Sequence, residues 1–597
     1  KRNLEFALNT YQQGSLEIPK NDYRVLATLD EVISMLNSLQ EAPAWSFDLE
    51  TTGLDQFTGK ILGIGFSTSP HTGFYIPIHH RESLSLPHVC DLCHGLGKYE
   101  ISPESDDENG VVQKKRCPVC KGKGATTKAS ELTKFWDGPS YRRIGERLQQ
   151  LFTTSGAVKI AHNIQFESKW MFRHWGINLE SLYKKNPYLL WDTQMYAYFR
   201  DPYTSDGSRS ISLGALSTRY VDLVTLKSIW DDVPSKGPHD LSLYHSTEKI
   251  GSYCAGDCDA TIRLFTEYSA ELKDWKPDGH DQWKFFHERL MGNLFFVGAM
   301  HQNGIPVNVK NLELAREKVI GTCLEIVDRI KAATFTPYEA PVGSNLAYKV
   351  PDDFNPNSVV HLRNFIFNKL KLPGVVGTKK EPKKKSSTGG DALEIWVNQY
   401  GSDFAKIILE YRLVDIHRKN LISQVERMLN PVTGCVHPDI KVWGTETGRL
   451  AVSNPPLHGM PSSGQWAKVV RSMFQAPDGW LLLGADFSQI ELRLIGWKAN
   501  CKALLGAYAK GLDMHSYTAS LLFNLDIEKL DKKKYPENSW MRQIGKTANF
   551  AWCYCGSPQV VIPLLGNALV PDEIIREKFG ADPKDKMKVR VPQEDLL

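Results

Sequence analysis

Trp45-Ser46-Phe47-Asp48-Leu49-Glu50 is the stretch on which the reading of the first half of the chain turns. Its apolar residues alternate with Ser, Asp and Glu at the period of a β-strand. Trp45, Phe47 and Leu49 therefore line one face and Asp48 and Glu50 stand together on the other. Two carboxylates two residues apart can share a divalent cation, although taken alone the pair also reads as a solvated face. Working outward, Lys60 to Thr68 and Thr72 to Pro77 read as further strands, and after an interruption an amphipathic helix spans about Tyr141 to Phe152. From about Arg24 to Leu272 the pattern is that of an α/β domain.

Two more segments supply carboxylates, Ala161-His162-Asn163-Ile164-Gln165-Phe166-Glu167 and Tyr253-Cys254-Ala255-Gly256-Asp257-Cys258-Asp259-Ala260-Thr261. On a helix Tyr253 and Asp257 lie one turn apart on one face, where phenol and carboxylate can meet one water, whereas Asp259 points elsewhere. Four carboxylates can hold two Mg²⁺ or Mn²⁺ ions about 4 Å apart, one activating water and the other stabilising a leaving oxygen. That is the chemistry of metal-assisted phosphodiester hydrolysis.

In order and spacing these three segments resemble the exonuclease motifs of the proofreading domain in bacterial DNA polymerase I and many phage polymerases. The resemblance implies a ribonuclease H-like fold in which Asp48, Glu50 and Asp257 ligate metal, Glu167 completes the site and Tyr253 orients the attacking water. The family's second motif usually ends in Asp. Here Glu167 stands there, keeping the charge but moving the ligand by one methylene.

Trp480-Leu481-Leu482-Leu483-Gly484-Ala485-Asp486 reads as a buried strand, Trp480 to Ala485, ending in a carboxylate. A charge at such a position needs a cation or an ion-pair partner, and the stretch alone does not choose between them. Further on, Arg542, Lys546, Phe550 and Tyr554 recur every four residues, a step that drifts only about 40° on a helix. The cations suit a triphosphate and the rings a base, while a core-facing aromatic stripe with solvated bases is the other reading.

The stretch from about Phe354 to Pro558 resembles the polymerase domain of family A DNA polymerases at ordered points. These are Leu409-Glu410-Tyr411-Arg412, Thr447-Gly448-Arg449-Leu450, Asn454-Pro455, Asp486 through Arg493, Asp513-Met514-His515, and Arg542 through Gly556. The resemblance implies an α+β right-hand domain with thumb, partial palm and partial fingers. By it Asp486 is a palm metal ligand and Glu491 the steric gate against a ribose 2′-hydroxyl. Arg449 and Gln489 contact DNA, His515, Arg542 and Lys546 bind the incoming deoxynucleoside triphosphate, Phe550 packs on it, and Tyr554 stands near the templating position. The family's second palm carboxylate lies in a downstream His-Asp-Glu motif. None follows Gly556, and His239-Asp240 and His280-Asp281 lie upstream of the palm. A second polypeptide, or a continuation of this one, is therefore expected to complete polymerisation.

Cys90-Asp91-Leu92-Cys93-His94-Gly95-Leu96-Gly97 and Cys117-Pro118-Val119-Cys120-Lys121-Gly122-Lys123-Gly124 share the form Cys-x-x-Cys-x-Gly-x-Gly. Glycines after each pair let the backbone turn and aim amides at thiolates, which suits one tetrahedral Zn²⁺ on Cys90, Cys93, Cys117 and Cys120. The repeats resemble the zinc units of J-domain co-chaperones. Cys90-x-x-Cys93-His94 also has the form of a c-type haem attachment site, and a redox dithiol is a third reading; the second pair favours zinc.

At 597 residues the chain exceeds one hydrophobic core, and 42% hydrophobic with 23% charged residues excludes wholesale disorder, collagen and coiled-coil architectures. The organisation expected is a lead over 1–23, a 3′–5′ exonuclease domain over 24–280 with the zinc lobe inserted at 87–128, thumb and connecting helices over 281–430, partial palm over 431–499 and partial fingers over 500–597. The basic run Thr378-Lys379-Lys380-Glu381-Pro382-Lys383-Lys384-Lys385 reads as a solvated loop or a phosphate-backbone contact. A net charge of +4 does not announce a nucleic-acid binder, so the partner, primer-template DNA, is argued from the motifs. No apolar run reaches the length of a membrane span, and eleven cysteines without a secreted framework fit a reducing cytoplasm. The function expected is phage-like DNA replication with proofreading; the alternatives are a stand-alone 3′–5′ exonuclease and a noncatalytic DNA-binding assembly subunit.

Overall fold

The computed structural model describes residues 21–81, 131–202, 210–221, 229–233, 239–374, 387–462, 464–531 and 534–553, and the backbone of short strands between 88 and 126. It divides into two compact units, Lys1–Trp480 and Leu481–Leu597.

The first unit begins with a six-stranded mixed sheet. In chain order its strands are β1 (Asp22–Val25), β2 (Ala44–Thr51), β3 (Ile61–Ser67), β4 (Thr72–Pro77), β5 (Val158–Ala161) and β6 (Leu190–Asp192). In space they run β1-β4-β3-β2-β5-β6. The pairs β2–β3 and β3–β4 are antiparallel, and β1–β4, β2–β5 and β5–β6 are parallel. The expected strands thus form within a residue or two. The alternation in β2 does not separate a wet face from a dry one, because helices cover both: Trp45, Phe47 and Leu49 are buried, and so are Ser46 and Glu50.

Helix α1 (Leu29–Glu41) starts on a capping box of Thr28 and Glu31, and α2 (Gly138–Thr154) starts on Asp137, whose carboxylate accepts from the Ser140 amide. Helix α3 is Ile164–Trp175, and the long helix α4, Thr247–Asp274, packs across β1 to β4. The core between these layers is strongly aromatic, with Trp45, Phe47, Phe66 and Phe152 meeting edge to face.

A second hydrophobic core in the same unit is helical, built from α5 (Val309–Ala332) and α6 (Asp403–His417) with Trp396, Phe404 and Phe365 between them. The helix expected over Leu409 to Met428 is present as α6, a π-turn at Arg418–Ile422 and a last segment at Ser423–Met428.

In the second unit α7 (Ile490–Lys498), α8 (Met514–Phe523) and α9 (Ser539–Cys553) are the main helices. Helices α8 and α9 pack so closely that a Cβ on Gly545 would lie 2.3 Å from the His515 carbonyl oxygen and 2.9 Å from the Ala519 amide nitrogen. Only glycine fits there.

The buried strand expected at Trp480 to Ala485 is not formed. The segment is in no strand, and Trp480, Leu481 and Leu483 are 74%, 93% and 94% exposed. An apolar run becomes a strand only where neighbouring strands take up its amides and carbonyls, and none pairs with it among the described residues.

Between 88 and 126 the backbone forms two antiparallel pairs, His88–Val89 with Ala125–Thr126 and Lys98–Ile101 with Gln113–Arg116. Cys90, Cys93, Cys117 and Cys120 lie outside the described residues, as do Tyr554 and the basic run at 378–385. Among the described residues no helix is long and apolar enough to cross a membrane.

Candidate active site

Sheet and helices bring the first carboxylate constellation together. Asp48 and Glu50 come from β2, and opposite them α4 carries Tyr253 and Asp257 one turn apart. Tyr253 donates a hydrogen bond to the Asp257 carboxylate. Glu167 lies in the first turn of α3, where the chain enters the helix through Asn163 at φ 72°. Asp192, at the end of β6, fixes that entry: its fully buried carboxylate accepts from the Ile164 and Met195 amides, both at 2.7 Å.

The electrostatics of this cluster are those of crowded acids that resist ionising together. Burial pushes the Asp48 carboxyl up to about 7. Burial also lifts Glu50, helped by the charges of Asp48, Asp257 and Glu167, and lifts Glu167 and Asp257, each helped by Asp48. Glu167 is 3% exposed, and its Oε2 has no hydrogen-bond partner. Buried acids that repel one another, one with an orphaned oxygen, fit a donor set for divalent metal such as Mg²⁺.

The sequence reading missed three contributors. Cys254 is buried beside Asp48, its thiol donating at 3.6 Å to both Asp48 Oδ2 and the Asp48 carbonyl. Asp192 is the anchor already described. Asp259 points away from the cluster, as expected, but is fully buried and accepts from the Tyr23 hydroxyl at 2.8 Å, the His71 amide at 2.9 Å and Arg263 at 2.6 Å. It fastens α4 to β1 and to the turn between β3 and β4. Its spacing from Arg263, one helical turn, was the only signal available in the sequence.

Of the second constellation, the second unit gathers Arg542, Gln489 and His515 around Asp513, with Phe550 beside His515. Arg542 forks onto Asp513 at 2.8 and 3.0 Å, Gln489 donates to it at 2.5 Å, and the Ser516 amide donates at 2.9 Å. Burial raises the Asp513 carboxyl, but these donors outweigh it and hold it at about 2. The rings of His515 and Phe550 stand 5.8 Å apart. Lys546 is exposed on the same helix, while Asp486 is exposed on the segment ahead of α7 and Glu491 lies in the first turn of α7. Arg449, in the first unit, is exposed, and its carbonyl accepts from Thr445 at 2.8 Å.

Residues 342–566 match the model of DNA polymerase family A, and residues 135–273 match a 3′–5′ exonuclease model. DNA polymerase I of Borreliella burgdorferi is 26% identical over 534 residues, covering 89% of this chain and 47% of the relative. The thermostable DNA polymerase I of Thermus filiformis is 34% identical over 201 residues, 34% of this chain and 23% of the relative. The DNA polymerase of Bacillus phage SP01 is 25% identical over 584 residues, 86% of this chain and 55% of the relative. The chain spans about half the length of the curated relatives it matches. In fold it resembles the POL domain of Pol1 from M. smegmatis, solved with DNA primer-template and dNTP, at a TM-score of 0.56 and 15% identity over 94% of this chain and 74% of that one.

Proposed function

The chain belongs to the family A DNA polymerases, with a 3′–5′ exonuclease segment ahead of its polymerase segment, and from that premise we propose that it trims the 3′ end of DNA in support of template-directed synthesis. The observation that carries the nuclease half is the cluster of Asp48, Glu50, Glu167 and Asp257, in which Glu50 and Glu167 are buried, Asp48 and Asp257 are half-buried and one Glu167 oxygen lacks any partner. Asp48, Glu50 and Asp257 would hold Mg²⁺ or Mn²⁺ with Glu167 completing the set, and the metal would supply charge neutralisation at the scissile phosphate and a more acidic water. The chain's own groups do the positioning. Tyr253 stays protonated, because burial and the neighbouring carboxylates push its phenol up, so it can hold a water by its hydroxyl beside Asp257. Replacing Asp48 and Glu50 together by Ala is expected to lower digestion of single-stranded DNA by about 10³-fold or more while DNA binding persists. Digestion at the parental rate would remove the assignment.

In the polymerase half, Arg542, Lys546 and His515 take the triphosphate and Phe550 packs on its sugar and base, with Tyr554 near the template base. Glu491 excludes the 2′-hydroxyl, Arg449 and Gln489 meet DNA, and Asp486 is one palm ligand for Mg²⁺. Two-metal nucleotidyl transfer needs a second palm carboxylate. No His-Asp-Glu motif stands among residues 557–597, and a fragment that bears it tests which residue fills that role. Incorporation of one labelled deoxynucleotide should be undetectable with residues 1–597 in an Asp48→Ala, Glu50→Ala background. It should appear when a fragment bearing the downstream palm residues is added. Incorporation without the fragment would assign the missing ligand to this stretch.

Cys90, Cys93, Cys117 and Cys120 hold one structural Zn²⁺, since a lobe of this size has too little core to fold without a staple. Elemental analysis should return about one zinc per chain; haem absorbance, or zinc well below that, would refute the site. A cytoplasmic setting goes with DNA as substrate.

A further inference from the structure

His515 lies buried in the first turn of α8, and the residue that holds its ring comes from α9. This is Asn549, also buried, which the close approach of the two helices at Gly545, one turn earlier, brings against α8. Asn549 Nδ2 lies 3.3 Å from the Met514 carbonyl oxygen and 3.3 Å from His515 Nδ1, and the buried Thr518 hydroxyl donates to Asn549 Oδ1 at 2.8 Å. The chemistry of these partners decides which way the amide is turned. A backbone carbonyl only accepts, so the amide NH₂ must face Met514; turned over, Oδ1 would meet that carbonyl with no proton between two acceptors. The NH₂ group has a second hydrogen, and His515 Nδ1 is its acceptor. A ring nitrogen that accepts carries no proton, so the proton of the neutral imidazole sits on Nε2. Burial keeps the ring neutral at neutral pH, helped by the charges of Arg542 and Lys546 and opposed by that of Asp513, which they outweigh.

We propose that Asn549, itself oriented by Thr518, is a positioning residue for the incoming nucleotide, fixing the ring and the tautomer of His515 so that Nε2–H is offered to the triphosphate as a donor. The inference rests on the reading of His515 as a triphosphate ligand and deepens it. A neutral imidazole has a single N–H, and where that proton sits decides whether the ring attracts or repels an anion. With the proton on Nδ1, Nε2 would turn a lone pair towards phosphate oxygens, which are themselves acceptors. Asn549 closes off that alternative, because its NH₂ would then stand against an N–H. Thr518, Asn549 and His515 are all buried, so water does not compete for these bonds, and removing one member leaves the others short of a partner. The placing of Asn549 on α9 adds a further consequence. The helix that carries Arg542 and Lys546 also sets the donor on His515, so one rigid element arranges all three cationic or N–H groups. Asn549 lies one residue before Phe550, off the stripe of four-residue steps, and so escapes the periodicity that marks the others.

The test is a double-mutant cycle on residues 1–597, with dATP binding read by fluorescence titration. His515→Ala and Asn549→Leu should each weaken dATP by about tenfold, the loss of one hydrogen bond to a charged group. The doubled variant should be no weaker than His515→Ala alone, because Asn549 acts through the ring. Thr518→Val, which frees Asn549 Oδ1 and leaves the amide in place, should weaken dATP by about threefold or more, and takes the place of Asn549→Leu in the cycle if that variant does not fold. Nitrogen NMR of the nucleotide-free chain, labelled with ¹⁵N in its histidine rings, reads the tautomer directly. The His515 signals, identified by their loss in His515→Ala, should show Nε2 protonated and Nδ1 bare. A proton on Nδ1, additive losses in the cycle, or an unchanged dATP affinity in Asn549→Leu overturns the proposal and leaves Asn549 as a packing residue. If His515→Ala itself binds dATP as the parent does, the triphosphate reading of His515 falls and the proposal falls with it. Weakening in His515→Ala beside an unchanged Asn549→Leu removes the proposal alone.

Discussion

At the scale of the single residue, crowding carboxyls away from water costs stability, and pH exposes the cost. Burial raises the Asp48 carboxyl to about 7, against an ordinary value near about 4. Between about pH 4 and pH 7 the folded chain therefore keeps a proton that the unfolded chain has released, so stability falls as pH rises through that window. Without added divalent metal, the melting temperature of the parent should drop from pH 5 to pH 8 more than that of Asp48→Asn, and added Mg²⁺ should recover the loss. Parallel curves for the two proteins would mean that Asp48 does not carry this cost. Asp259 shows the opposite case, a buried carboxylate whose partners are all supplied by the protein, through Tyr23, His71 and Arg263. Its replacement by Ala strands the Arg263 guanidinium, which is 12% exposed, and should cost about 3–5 kcal/mol. A chemical-denaturation midpoint unchanged from the parent would refute that role.

At the scale of elements, two glycines set how closely a helix can approach its neighbour. Gly65 on β3 meets the sulfurs of Cys254 and Cys258 on α4, and a Cβ there would fall 2.7 and 2.9 Å from them. Gly65→Ala should push α4 off the sheet and move Asp257 and Tyr253 away from β2. Nuclease activity should then fall by about tenfold or more while nucleotide binding by the second unit is untouched. Gly545 lies against backbone atoms of α8, which cannot swing aside as a side chain can. Gly545→Ala should cost about 1–3 kcal/mol or more and weaken binding of a deoxynucleoside triphosphate, measured by fluorescence titration, without altering the nuclease. Equal loss of both activities in either variant would mean that the strain spreads beyond its own helix pair.

At the scale of the whole molecule, the first unit ties its two cores together through the segment between Asn430 and Thr445. Asn430 donates to Asp55, Gln165 to the Ile440 carbonyl and Tyr198 to the Thr445 carbonyl, while the ring of Phe57 lies tilted against that of His437 with centroids 4.4 Å apart. Ile440 and Val442, although distant in sequence, are buried in the core of the sheet-bearing half. Gln165 is two residues from Glu167, so this segment braces the helix that carries a site carboxylate. Ile440→Ala should destabilise the unit by about 2–5 kcal/mol and lower nuclease activity with it, both read across one thermal ramp. Activity that outlasts the unfolding of the 430–445 segment would show that the brace is unnecessary.

Sequence alone determined three of the six strands of the sheet, β2, β3 and β4, and the placing of Tyr253 and Asp257 one turn apart on a helix. Each of these is written in a local period or in a motif of fixed spacing, which one segment can specify by itself. The same local reading failed at Trp480 to Ala485, because an apolar run becomes a strand only when other strands pair with it. Tertiary structure decided the rest. It placed the Cys254 thiol against Asp48, gave Asp192 two helix amides to accept from, surrounded Asp259 with donors from three elements, and drew Arg542 and Gln489 onto Asp513. These contacts join residues tens to hundreds of positions apart, and no periodicity encodes them; they exist because packed layers bring the side chains within hydrogen-bond reach, where burial makes each unpaired polar group costly.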